Sequence, residues 1–152
     1  MKITVFLRND HEGLIALFNK FKKPSGPRTS KSTTDLLDEI LREVRIHMQT
    51  EREVFYSALA AGPSEEAPGR VAKAEQQLQV IEKLLSELTD MNGSEKAFET
   101  TMASLMEEVN RHIEIDEEEI FDEARKILPE YRLEELGLEM EDRKKILATL
   151  AA

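Results

Sequence analysis

Apolar residues recur at intervals of three and four along four long stretches of this chain, while strand-like alternation is nearly missing. That periodicity restricts the chain to amphipathic helices that must bury their stripes against one another. The first helix is expected over about Ile3 to Lys22, with Leu7, Leu14, Ile15, Phe18 and Phe21 inward and a stop at Pro24-Ser25-Gly26-Pro27. The second, capped by Ser32 or Thr34, carries Leu37, Ile40, Leu41, Val44, Met48, Phe55 and Leu59 and breaks at Gly62-Pro63. The third follows Pro68-Gly69, with Val71, Ala74, Leu78, Ile81, Leu85 and Leu88. The fourth, with Ser94 as its cap, carries Phe98, Met102, Leu105, Val109, Ile113, Ile120, Ala124 and Ile127 and stops near Pro129. A short fifth helix is expected over about Leu133 to Leu150 as a lid or tail, with Gly137 as a candidate break. The expected fold is all-α: an up-down-up-down four-helix bundle over about residues 3–128 with a short C-terminal helix, in a single domain over 1–152.

Composition removes several kinds of function. Among 152 residues, 21 Lys and Arg face 31 Asp and Glu, a net charge of −10. Nucleic acid and anionic membranes are therefore not expected partners, since both call for clustered positive charge. With no cysteine there is no disulfide, thiolate metal site or thiol nucleophile. The apolar run Ile3 to Leu7 is too short for a secretory signal, and no segment has the roughly 18 apolar residues of a membrane span. A cytoplasmic location is the expectation.

The three histidines stand on the apolar stripes. His11 lies between Leu7 and Leu14; His47 precedes Glu51 by four residues, and His112 precedes Asp116 by four. Residues four apart on a helix are neighbours, so the second and fourth helices each present a His–carboxylate pair along the core-facing seam. A buried ionised carboxylate costs several kcal/mol without a partner. A metal ion is one such partner; Arg45, Arg52 and Arg111 are the alternatives. Imidazole and carboxylate without thiolate suit iron, manganese or zinc. Carboxylates from two facing helices are able to bridge a pair of ions. Such binding should weaken as pH falls through the histidine range.

These residues resemble the motifs of the hemerythrin-like, HHE cation-binding domain family. Asp10-His11-Glu12 with Leu14 and Phe18 is similar to its first motif. His47 through Glu51 to Phe55-Tyr56-Ser57-Ala58-Leu59 resembles the second, with Ser57 where proline is usual. His112 through Asp116-Glu117 to Ile120-Phe121 resembles the last. The resemblance implies a four-helix bundle with a non-heme, usually di-iron, centre, and maps His11, His47, Glu51 and His112 onto ligand positions. For the last carboxylate, four residues turn about 400° and five about 500°, which favours Asp116 and leaves Glu117 in reserve. The family places a histidine on the third helix, whereas this chain reads Ala74-Glu75-Gln76-Gln77-Leu78-Gln79. One metal position then loses a nitrogen ligand unless Glu75, Gln77, Gln79, Glu82 or water substitutes, which argues against oxygen carriage and leaves open a carboxylate-richer or mononuclear centre.

The expected function is a non-heme iron-binding protein holding one or two ions, for iron handling or for sensing oxygen, nitric oxide or peroxide. Two other readings stand beside it. One is an oxidoreductase turning over peroxide, with Tyr56 as a candidate neighbour of the centre. The other is a metal-free helical interaction module whose histidines pair with nearby acids and arginines.

Overall fold

In the computed structural model of the chain, which describes residues 1–24 and 26–151, every regular element is helical. Ser25, within the break expected after the first helix, lies outside the described residues, as does Ala152. Helix α1 spans Ile3–Lys22. Helix α2 (Lys31–Thr50) continues through a π-helical segment (Glu51–Tyr56) into α3 (Ser57–Ala60). After α4 (Ala67–Thr89), α5 (Lys96–Ile115) likewise continues through a second π-helical segment (Asp116–Ile120) into α6 (Phe121–Ile127). Helix α7 is Glu130–Ala151.

Helices α1 and α2 pack together, α2 touches α4, α4 lies along α5, and α5 returns to α1, so the four longest inner rods close a ring. On α1, Ile3, Leu7, His11, Leu14, Phe18 and Phe21 step by four or three residues and form the buried stripe. Ile15 falls outside it, 38% exposed, because one residue beyond Leu14 turns the side chain about 100° off the stripe. Phe18, Phe21, Phe55, Phe98 and Phe121 are all buried, each contributing about 1.5–3 kcal/mol of apolar burial.

The helix ends depart from expectation in instructive ways. Ser30, not Ser32 or Thr34, caps α2, its hydroxyl accepting from the Thr33 N–H at 3.4 Å. Ser94 does not cap α5; its N–H and hydroxyl both turn back to Asn92 Oδ1. Pro68 stands inside the first turn of α4, where a missing N–H costs nothing.

The C-terminal helix is neither short nor broken. It has 22 residues and passes straight through Gly137. Pro129, which ends the preceding helix, also starts this one: its carbonyl accepts the N–H groups of Arg132 and Leu133 at 3.0 and 3.1 Å. A Cβ at Gly137 would collide with the Met1 carbonyl oxygen and lie 3.1 Å from its carbon and 3.2 Å from the Ile3 nitrogen. This glycine lets the start of the chain cross α7 closely. Leu133, Leu136, Met140 and Leu147 face inward, and α7 packs against α1, α2 and the first π-helical segment.

Candidate metal centre

The carboxylates paired at four-residue spacing with His47 and His112 each begin a π-helical segment. Glu51 opens the first and Asp116 the second. The wider i→i+5 turn brings both the fourth and fifth following residues inward: Phe55 and Tyr56 after Glu51, Ile120 and Phe121 after Asp116. Side-chain hydroxyls bracket the first segment. Thr50 donates to the Ile46 and His47 carbonyls and Ser57 to those of Glu53 and Val54, the kind of competition that loosens regular helical bonding.

His11 from α1, His47 and Glu51 from the α2 rod, and His112 and Asp116 from the α5 rod meet inside the ring. All five are at most 2% exposed. Each offers one ligand atom, and these atoms lie within 4.8 Å of one another. His47 Nε2 stands 2.8 Å from Glu51 Oε2, and His112 Nε2 stands 3.4 Å from the same oxygen. Asp116 Oδ2 is 3.1 Å from His112 Nε2 and 3.4 Å from His11 Nε2. The His47 and His112 Nε2 atoms face each other at 3.4 Å.

The outward ring nitrogens are held separately. His47 Nδ1 bonds Asp10 Oδ2 at 2.7 Å, and His11 Nδ1 bonds Glu117 Oε2 at 2.8 Å. A carboxylate on Nδ1 fixes the tautomer that leaves Nε2 as a lone pair, the arrangement that orients metal-bound histidines. Asp10 also pairs with Lys144 of α7, and Glu117 with Arg8 at 3.4 Å. Tyr56 donates its hydroxyl to Asp116 Oδ1 at 2.6 Å. The His11 ring stacks at 6.0 Å on Phe121, which in turn packs on Phe55, so the floor is apolar.

The charges inside this pocket depend on one another. Burial opposes ionisation of His47, but the Glu51 carboxylate and the bond to Asp10 outweigh it and push its pKa up to about 10. His112 rises for the same reason, burial being outweighed by Asp116 and Glu51. Asp10 moves the other way: burial is overcome by His47 and Lys144, which hold it at about 2. Glu51 stays ionised despite burial because His112 and His47 face it. Asp116 is pushed up to about 6 by burial and by the adjacent Glu51. Burial, with Glu51 and Asp116 beside it, holds the Tyr56 hydroxyl far above its ordinary value. Two carboxylates thus draw positive charge into the core, and protons on the rings supply it when no ion does.

The donor atoms fit an ion better than they fit each other. His11 Nε2, both Glu51 oxygens and Asp116 Oδ2 are buried without any hydrogen-bond partner, although charged neighbours stand close by. Buried polar atoms left this way are rare and call for an explanation. Ligands about 2.1 Å from an ion are separated by about 3.0 Å in an octahedron and about 3.4 Å in a tetrahedron. The observed separations of 2.8–3.4 Å match such edges.

Every candidate from the third long helix lies elsewhere. Glu75 and Glu82 both pair with Arg52, Gln77 donates to Glu108, and Gln79 is exposed. The buried residues of α4 are Ala67, Ala74, Leu78, Ile81, Leu85 and Leu88, all apolar. The arginines weighed as alternative partners are also engaged outside the cluster. Arg45 bonds Thr89, Arg52 the two glutamates, and Arg111 pairs with Glu107 and Glu108. Glu117, the reserve ligand, supports His11 from behind instead. Asp10, Glu117 and Lys144 as supports were not read from sequence, although Asp10 and Glu117 each adjoin a cluster residue.

Comparison with known proteins agrees with this geometry. The family model for the hemerythrin HHE cation-binding domain matches residues 2–124. No curated protein matches the chain. Among solved structures, a hemerythrin HHE cation-binding domain-containing protein from Mycobacterium kansasii superposes with a TM-score of 0.86 at 25% identity, covering 99% of this chain and 90% of that one. Helix α7, beyond the family match, is therefore within the span shared with that structure. With a ring of helices, a converging His–carboxylate cluster and a match over most of its length, the chain belongs to the hemerythrin HHE cation-binding domain family.

Proposed function

We propose that this protein binds non-heme iron, one or two ions, through His11, His47, Glu51, His112 and Asp116, and serves iron handling or the sensing of oxygen, nitric oxide or peroxide. Manganese and zinc are the other metals that suit the donor set. The reading takes residues 1–152 as one domain, its ring as an up-down-up-down four-helix bundle, and its location as cytoplasmic. The observation that carries it is the set of buried, unpartnered donor atoms on His11, Glu51 and Asp116.

Within this reading, His47 and His112 shed protons to bind, Asp10 and Glu117 keep the rings aimed, and Phe121 and Phe55 keep bulk water out. Bound iron supplies Lewis acidity and one-electron chemistry. Metal analysis of protein purified from iron-supplemented cells tests the assignment. Iron should be present in the wild type and lost in His47→Ala and His112→Ala; unchanged iron in both variants refutes it.

A second reading, peroxide turnover, draws support from two features. No α4 side chain enters the cluster, so five protein donors leave coordination positions for an exogenous ligand. Tyr56 also places a hydroxyl on Asp116. Steady peroxide consumption by the iron-loaded protein, abolished in Glu51→Ala, supports this reading; an iron-loaded protein without turnover retires it.

A further inference from the structure

Helix α7 lies outside the stretch that matches the family model, yet it reaches the centre. Its inward positions are Leu133, Leu136, Gly137, Met140 and Leu147. Lys144, four residues after Met140 and three before Leu147, occupies the same stripe and is the charged residue on it. Its ammonium group pairs with Asp10 Oδ1 and stands 5.6 Å from the centre of the Phe6 ring. The other oxygen of Asp10 accepts from His47 Nδ1 at 2.7 Å. An unbroken line of contacts therefore runs from α7 through one carboxylate to a ring whose far nitrogen faces Glu51.

We infer that Lys144 is a positioning residue for the metal centre, acting through Asp10 to limit how strongly His47 donates electrons to a bound ion. The inference rests on the iron-binding reading above. A carboxylate that accepts a hydrogen bond from Nδ1–H raises the basicity of the opposite ring nitrogen, and the more negative the carboxylate, the stronger the effect. The ammonium group of Lys144 withdraws that negative charge. Removing it makes Asp10 a stronger acceptor and also deletes a nearby positive charge. Both changes favour the more oxidised ion. Lys144 thus keeps the reduction potential higher than the five ligands alone would set it. Glu117, the corresponding support of His11, has the half-exposed Arg8 beside it at 3.4 Å, where water screens the charge more.

The test is the midpoint potential of the iron-loaded protein, followed spectroscopically during a redox titration. Lys144→Met should lower it, and Lys144→Arg should restore it to near the wild-type value. Arg143→Gln removes the adjacent positive charge of α7, which pairs with Glu53 at 2.6 Å outside the cluster, and should leave the potential unchanged. In an Asp10→Asn background the effect of Lys144→Met should shrink, since its intermediary is disabled. Lys144→Gln gives the same reading should the methionine variant not fold. A wild-type potential in a folded, iron-loaded Lys144→Met or Lys144→Gln protein, or an equal shift in Arg143→Gln, overturns the inference. Failure of the wild-type chain to take up iron overturns the iron-binding reading as well, and shows before any potential is compared.

Discussion

Replacing Gly137 with alanine pits two opposing effects against each other, and the structure decides between them. In an ordinary helix interior the change stabilises by about 0.5–1 kcal/mol, because glycine is the more flexible residue. At Gly137 the new methyl group meets backbone: it collides with the Met1 carbonyl oxygen and lies 3.1 Å from the Met1 carbonyl carbon. Backbone cannot rotate aside as a side chain does. Either α7 lifts from the core or the start of α1 shifts, straining the bonds from Val5 and Phe6 N–H to the Lys2 carbonyl, each 3.0 Å, and the fully buried Ile3. Overpacking of this kind costs about 1–3 kcal/mol. The balance is a net loss of about 1 kcal/mol, or about 2–4 °C in thermal midpoint for a chain of this size. Gly13 on α1 is the control, since a Cβ there meets nothing within 4 Å, and its replacement by alanine should raise the midpoint instead. Thermal unfolding followed by circular dichroism at the helix band measures both. If Gly137→Ala is stabilised as much as Gly13→Ala, the close crossing of residues 1–3 over α7 is refuted.

Other expectations concern the cluster. Tyr56→Phe strips a buried hydrogen bond from Asp116 and should destabilise the metal-free protein by about 1.5–3 kcal/mol in urea titration. Glu75→Ala and Glu82→Ala should leave metal content at the wild-type level by elemental analysis, because both side chains face Arg52. The His47 pKa is raised from 6.5 to about 10, so its contribution to folding is complete below pH 6.5 and is lost as pH rises through about 10. The thermal midpoint of the metal-free chain should accordingly fall across that alkaline range. The same shift means that metal binding near neutral pH expels about one proton or more, detectable by calorimetry in buffers of different ionisation enthalpy.

The cluster was legible in the sequence wherever regular helical geometry held. Spacing of four between His47 and Glu51, and between His112 and Asp116, aligns each pair on one face, and both pairs do converge. Legibility failed where the helix departs from 100° per residue. Tyr56 is a candidate neighbour of the centre from sequence and does reach Asp116, but spacing does not show how it gets there. Five residues beyond Glu51 it would stand about 140° away on a regular α-helix, and the π-helical turn, which no spacing rule announced, swings it inward. The C-terminal helix was misjudged for a related reason. Pro129 does stop the preceding helix as its type suggests but also starts α7, earlier than expected. Gly137, a breaker by type, is instead a contact point that depends on a chain segment more than a hundred residues away. Lys144 was invisible for the same cause, since its partner Asp10 is distant in sequence.

The two widened turns have a consequence for how the pocket keeps its shape. Rewinding either into a regular helix would turn Tyr56 or Phe121 away from the interior, and both are almost wholly shielded from water. The surrounding hydrocarbon therefore resists straightening of the rods, and with it any swing of Glu51 or Asp116 outward. An arriving cation meets acids already aimed at it by greasy neighbours, so little rearrangement is needed to seat it.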